Sequence, residues 1–152
     1  MENRFDHFSY DIAEISKYWH KLATDEMARY DLKGSYAVYF TVLFHEPEGL
    51  TAARLGEVCS RDKADVSRAV TLLEQRGLLK RENDGEKTYR SRIKLTEKGT
   101  EAARSINERA KMAVEYGGKG LNEKQREDLY EALDLIVENL RKLDRDGLPQ
   151  KE

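Results

Sequence analysis

Cysteine and proline are nearly absent from this 152-residue chain, and histidine is scarce. The single cysteine, Cys59, excludes an internal disulfide framework and fits a reducing cytoplasm. Only two prolines occur, Pro47 and Pro149, and there is no low-complexity tract or internal repeat, so nothing marks a linker or a repeat array. The three histidines, His7, His20 and His45, lie far apart, and none sits in a His-x-x-x-His or Glu-x-x-His pair. His20, beside Trp19, reads as a surface or interface residue. Carboxylates are plentiful but stand at helical spacing beside Lys and Arg, the pattern of a solvated face. With no nucleophile elbow either, no catalytic residue, metal ligand or cofactor is expected. No apolar run approaches membrane-spanning length, and the first residues lack the basic-then-apolar pattern of a signal peptide, so no membrane partner is expected. Gly117, Gly118 and Gly120 form one glycine cluster. It follows a helical pattern and no strand, so it reads as a turn between helices, not a phosphate loop.

Charge is abundant but unevenly placed. Charged residues make up 37% of the chain for a net charge of −2, which at first argues against a polyanionic partner. Residues 1–53 carry 5 basic and 9 acidic side chains, residues 54–104 carry 13 and 9, and residues 105–152 carry 9 and 11. The middle third is therefore a basic island, as an electrostatic footprint for phosphate requires.

That island has an ordered pattern. Thr51 is a natural N-cap for a helix carrying Ala52, Leu55 and Val58 on one face. Ser60, Arg61 and Asp62 break the period and form a turn, with Asp62 capping a second helix. In that helix Val66, Ala69, Val70 and Leu73, three and four apart, fall on the buried side. Lys63, Ala64, Asp65, Ser67, Arg68 and Thr71 are left on the other. Arg can fork onto guanine, Ser and Lys reach phosphates or base edges, and Ala permits close approach. Gly77, after Gln75 and Arg76, stands where a left-handed helix terminator belongs.

A hairpin follows. Leu78 and Leu79 begin one strand, Asn83, Asp84 and Gly85 signal the turn, and Thr88 to Leu95 return. On the return strand Tyr89, Ser91, Ile93 and Leu95 alternate with Arg90, Arg92 and Lys94, leaving a cationic row outside. Alone such a row is a solvated strand face. Beside a helix-turn-helix it reads as a wing, whose Arg90 and Arg92, with Lys87, complete the candidate DNA-contacting set.

Two further helices carry apolar seams. Phe5, Phe8, Ile12, Ile15, Trp19 and Leu22 recur at steps of three and four near one end, and Leu129, Leu133, Ile136, Leu140 and Leu143 do so near the other. Each seam suits knobs-into-holes packing. Asn122 with Gln125 is a capping-box-like start for the last helix. Each seam alone would be ordinary core. The middle third already has a core of its own in Leu55, Val66, Val70, Leu73, Ile93 and Leu95, so the terminal helices are expected to form a two-fold dimer.

The block resembles the winged helix of the MarR family of bacterial transcription regulators. The resemblance is carried by the helix pair with Asp62-Lys63-Ala64-Asp65-Val66-Ser67-Arg68, by Leu73-Glu74-Gln75-Arg76-Gly77-Leu78, and by Leu95-Thr96-Glu97-Lys98-Gly99, the family's step from the wing into the next helix. The order of helices before and after also fits. In one respect the chain departs from the pattern. Family members carry an Asp-x-Arg or Asp-Arg-Arg run at the wing, and here Lys87, Thr88 and Tyr89 stand in that register, with Glu86 and Arg90 or Arg92 as substitutes. The resemblance implies a homodimer and a small-molecule pocket between the dimer helices and the winged helix. Tyr10, Tyr18, Trp19, Tyr30, Tyr36, Tyr39 and Phe40 would suit a small aromatic or phenolic effector there, although they read first as core or dimer packing. Cys59 could sense redox beside Arg61, but peroxide-sensing relatives place their reactive cysteine near the first helix, so a packing role is expected.

The expected fold is mainly α with a small β-hairpin wing: a winged helix-turn-helix flanked by N- and C-terminal dimerisation helices. The expected divisions are 1–34 for the first dimerisation helix, 35–100 for the DNA-binding domain and 101–152 for the C-terminal dimerisation helices. The expected function is that of a cytoplasmic, sequence-specific regulator binding double-stranded DNA as a homodimer on a pseudo-palindromic operator, a repressor relieved by a small effector. The competing function is a winged-helix protein-association module, and an enzyme is not expected.

Overall fold

The computed structural model describes residues 3–83 and 91–148. Six α-helices and one two-stranded antiparallel sheet are present among them. By compactness the chain divides into two units, Met1–Lys111 and Met112–Glu152.

The first unit opens with α1, Arg4–Ala28, whose N-terminus is capped by the Asn3 carboxamide accepting from Phe5 N at 3.2 Å. A turn through Asp31, in the left-handed region at φ 54°, leads to a short 3-10 turn, Gly34–Tyr36, and then to α2, Ala37–Phe44. The helix pair is α3, Ala52–Cys59, and α4, Lys63–Gln75. The caps fall where the sequence put them: Thr51 Oγ1 accepts from Arg54 N, and Asp62 Oδ1 accepts from Asp65 N. The buried face of α4 is the expected one, Val66, Ala69, Val70 and Leu73, and Gly77 takes φ 71° just past its end.

In α3 the expected face needs correcting. Leu55 is buried, but Ala52 and Val58 are exposed, and Gly56 and Cys59 complete the inner face instead. The cause is the tight approach of α4. A Cβ at position 56 would lie 3.0 Å from Arg61 O and 3.3 Å from Val66 Cγ2, so the helices meet over Gly56 and rotate Val58 outward.

The strands are β1, Leu79–Glu82, and β2, Arg92–Leu95, paired Leu79 to Leu95 and Glu82 to Arg92. Leu50 adds an antiparallel bridge to Ile93, with reciprocal backbone bonds of 3.1 and 2.7 Å that the sequence did not announce. The expected alternation holds from Ser91 to Ile93, with Ser91 and Ile93 buried and Arg92 exposed, but Lys94 and Leu95 are both partly buried. Asp84, Gly85, Glu86, Lys87, Thr88, Tyr89 and Arg90 lie outside the described residues.

One core joins these elements, with Met27 of α1, Phe40 and Leu43 of α2, Leu55, Val66, Val70, Leu73 and Ile93 nearly free of solvent. The long helix α5, Glu97–Gly117, contributes Ala102, Ala103 and Ile106. A polar clasp accompanies it. Glu26, only 5% exposed, accepts from Arg29 Nη1 at 3.0 Å and from Ser105 Oγ at 3.2 Å, and forms an ion pair with Arg109 Nε at 2.6 Å. Glu26→Gln keeps the shape but removes the charge between two arginines, and should cost about 1–2 kcal/mol, because hydrogen bonds to charged groups outweigh neutral ones. Both arginines are more than half exposed, which holds the loss below that of a fully buried pair. Unchanged urea unfolding in this variant would show that the clasp contributes nothing.

The second unit holds the last residues of α5 and α6, Glu123–Asp146. Asn122 and Gln125 form the complete capping box, each side chain accepting from the other's backbone N at 2.9 Å. The glycine cluster is the turn between helices, with Gly120 at φ 97°. None of the described residues from 112 onward is buried.

Candidate nucleic-acid interface

The surface of α4 is organised by its first turn. Asp62 closes the N-terminus, its backbone O accepting from Val66 N at 3.0 Å, and Ser60 in the left-handed region at φ 52° swings the chain from α3 into that cap. With Val66, Ala69, Val70 and Leu73 fixed in the core, the opposite face is necessarily presented outward. Lys63, Ala64, Ser67, Arg68 and Thr71 are exposed there, and Asp65 is partly buried at the same face. Six of the nine residues singled out from sequence are therefore brought together on one helix face. Arg68 Nη2 donates to Asp65 Oδ1 across one helical turn.

Beside this face lies a small cleft of about 90 Å³, lined by Ser35, Tyr36, Tyr39, Arg61, Asp65 and Arg68 among others. It is well below the several hundred Å³ of an ordinary small-molecule site. The aromatics grouped from sequence do not line one cavity. Tyr39 and Phe40 belong to the core, Tyr30 and Tyr36 pack partly against it, and Tyr10, Tyr18 and Trp19 are exposed on α1. Arg61 was read as a turn residue and a neighbour of Cys59 but not as part of this surface, yet it lines the cleft beside the candidate face. A cation immediately before the cap was the signal available for it.

At the wing, Lys87 and Arg90 lie outside the described residues. Arg92 Nη1 donates to Gly49 O at 3.0 Å. Lys94 is turned from the outward row into a pair with Glu82 at 2.7 Å, with Glu48 at 4.0 Å, and its side chain is only 20% exposed. Arg81 Nε bridges both Glu74 carboxylate oxygens at 3.1 Å. Hydrogen bonds from Lys94 and Lys80 hold the Glu82 carboxyl below the usual range. The root of the wing is thus a set of ion pairs that fixes the strands on α4 and on the Leu50 bridge.

Cys59 is buried, and burial pushes its thiol up to about 11, outweighing the opposite pull of Arg61. At pH 8 only about one thiol in a thousand would then be thiolate, the form that reacts. The folded protein should therefore resist alkylation by iodoacetamide at pH 8 and react promptly in urea. Fast labelling of the native chain would contradict the packing role. Among the described residues no group of three or more His, Cys, Asp or Glu side chains is placed to hold a metal ion. His20 Nδ1 is spent locally, 2.6 Å from Ser16 O, and His7 pairs with Asp11 at 3.0 Å. No described helix is long and apolar enough to cross a membrane.

A helix pair meeting through a tight turn, followed by a two-stranded hairpin clipped to the residue before the pair, defines a winged helix-turn-helix. Residues 30–87 match the family model described as the MarR family. Solved structures agree along most of the chain. A MarR transcriptional regulator from Methanosarcina mazei Go1 is 21% identical with a TM-score of 0.77, over 91% of this chain and 99% of that one. A putative MarR family transcriptional regulator from Listeria monocytogenes complexed with 26mer DNA is 20% identical with a TM-score of 0.80, over the whole of both chains. The S. aureus MepR–DNA complex is 22% identical with a TM-score of 0.76, over 88% of this chain and 97% of that one. No curated protein matches the chain. The resemblance is borne out over residues 30–87, which match the MarR family model, and the chain has the mainly helical winged-helix fold of these solved structures. The first two of these structures carry the name of transcriptional regulators, not of enzymes.

Proposed function

We propose that this chain is a sequence-specific regulator that binds double-stranded DNA as a homodimer on a pseudo-palindromic operator. The observation that carries the reading is the outer face of α4. A helix whose inner face is wholly committed to the core displays Lys63, Ala64, Ser67, Arg68 and Thr71 to solvent at a capped, groove-sized end. Two of the similar structures are complexes with DNA. Repression, and its relief by a small aromatic or phenolic effector, are part of the proposal on family resemblance alone.

A mobility-shift titration on DNA flanking the protein's own gene, at two salt concentrations, tests the reading. A specific, salt-sensitive complex supports it, and equal binding to every duplex overturns it. Within that assay Arg68→Ala should cost on the order of 1–3 kcal/mol of operator binding while the protein remains folded. Unchanged affinity would remove Arg68 from the interface. Replacing Arg90 and Arg92 with Ala should weaken binding on all sequences and flatten the salt dependence by about one to two phosphate contacts. Because Arg92 also holds Gly49 O, a melting curve must accompany the double variant. Full affinity with the full salt slope would take the wing off DNA and favour the protein-association reading.

A further inference from the structure

The geometry points to Asp65 as the residue that positions Arg68 for base reading, and so as a determinant of sequence specificity. This rests on the DNA-binding reading above and assigns a device within it. An acidic side chain is an anomaly on a surface meant for phosphate, since it repels the backbone of every duplex alike. Asp65 is not at the margin of that surface. It lies in the first turn of α4, its backbone N held by Asp62 Oδ1 at 2.8 Å, and its side chain is 43% exposed. Arg68, one turn later and 68% exposed, places its Nη2 on the Asp65 carboxylate.

Helix side chains lean toward the N-terminus, so a residue at i+3 is brought over the turn before it. The Asp65 carboxylate catches the guanidinium there, at the end of a recognition helix that meets base edges. A free arginine loses much rotamer freedom when fixed, and its planar fork reads guanine only when correctly aimed. Holding one nitrogen on Asp65 narrows in advance the range of positions open to the guanidinium, and leaves its other donors unused by that contact. Asp65 also lines the small cleft, together with Arg61, Tyr36 and Tyr39. Asp65 thereby lowers affinity for all DNA and raises the advantage of the right sequence.

The test uses the full chain and a duplex that the wild-type protein selects from a random library, against an unrelated duplex of equal length. Asp65→Ala should bind the unrelated duplex a few-fold more tightly, because one repelling charge is gone. Its preference for the selected duplex should fall on the order of tenfold, concentrated at one guanine position. Asp65→Glu, which still reaches Arg68, should recover most of the preference. In an Arg68→Ala background, Asp65→Ala should leave the preference unchanged. Asp65→Asn, with its circular dichroism checked, guards against misfolding of the alanine variant. A preference kept in both Asp65→Ala and Asp65→Asn, or lost equally without Arg68, overturns the positioning role while the DNA reading stands. If the wild-type chain selects no duplex at all, the DNA reading fails first and this assignment falls with it.

Discussion

Gly99→Ala should destabilise the protein by about 3 kcal/mol, although alanine is the better helix former by about 1 kcal/mol. The two expectations have opposite signs, so the variant decides between them. Gly99 lies in the first turn of α5, where the chain leaves β2. A Cβ there would lie 1.9 Å from Leu78 O and 3.2 Å from Leu95 Cδ2. The first is a backbone atom that already accepts from Thr96 N at 3.0 Å, so it cannot yield as the tip of a side chain would. Thr96 ties the same corner twice more, its Oγ1 donating to Gly77 O at 2.6 Å and accepting from Gly99 N at 3.0 Å. The Leu95-Thr96-Glu97-Lys98-Gly99 motif is therefore a joint: it clamps the first turn of α5 against the end of α4 and the start of β1. Thr96→Ala, which removes the hydroxyl and the γ-methyl without adding a clash, should cost about 1 kcal/mol. Urea unfolding of both variants provides the check. A Gly99→Ala protein as stable as the parent would mean that the corner opens freely.

What could be read from sequence here was local. Thr51, Asp62 and Asn122 each announce a helix start because a cap is a contact between neighbours three residues apart. The face of α4 was legible because a four-residue apolar set at steps of three and four admits one burial side. The misses came from contacts between distant segments. Val58 has the right period to be buried, but the α4 approach over Gly56 turns it outward. Lys94 alternates correctly with Ile93 and Leu95, yet Glu82 and Glu48 draw its ammonium into an ion pair. The Leu50–Ile93 bridge joins residues far apart in sequence, and a single bridging residue has no periodicity to betray it. The same limit applies to the interface. The residue types at Lys63, Ser67 and Arg68 were legible, whereas the Asp65–Arg68 pairing needed coordinates.

Deleting residues 121–152 should convert the protein from dimer to monomer while leaving residues 1–111 folded. The deletion removes none of the buried apolar residues, all of which lie between Met27 and Ile106 among the described positions. It does remove α6, a helix none of whose residues is buried, with Leu129 at 43% and Leu140 at 52% exposure. The α1 seam is left equally open, from Ile12 at 42% to Phe5 at 69%. Contiguous apolar surface of this kind marks an interaction face, and covering each half-exposed side chain is worth about 1 kcal/mol. Several such side chains on two helices suffice to offset an association cost of roughly 4–15 kcal/mol. A full-length companion, Leu133→Asp with Leu140→Asp, places two charges on the same seam without shortening the chain and should give the same monomer. Sedimentation equilibrium reads both. Each monomer would retain its α4 face, but without a partner it loses the second half-site and with it the effective concentration that linked binding supplies. Affinity for a two-half-site duplex should then fall at least a hundredfold and lose its dependence on a spacing of about 34 Å. A folded dimer that survives the deletion and the double charge would place the interface elsewhere on the chain.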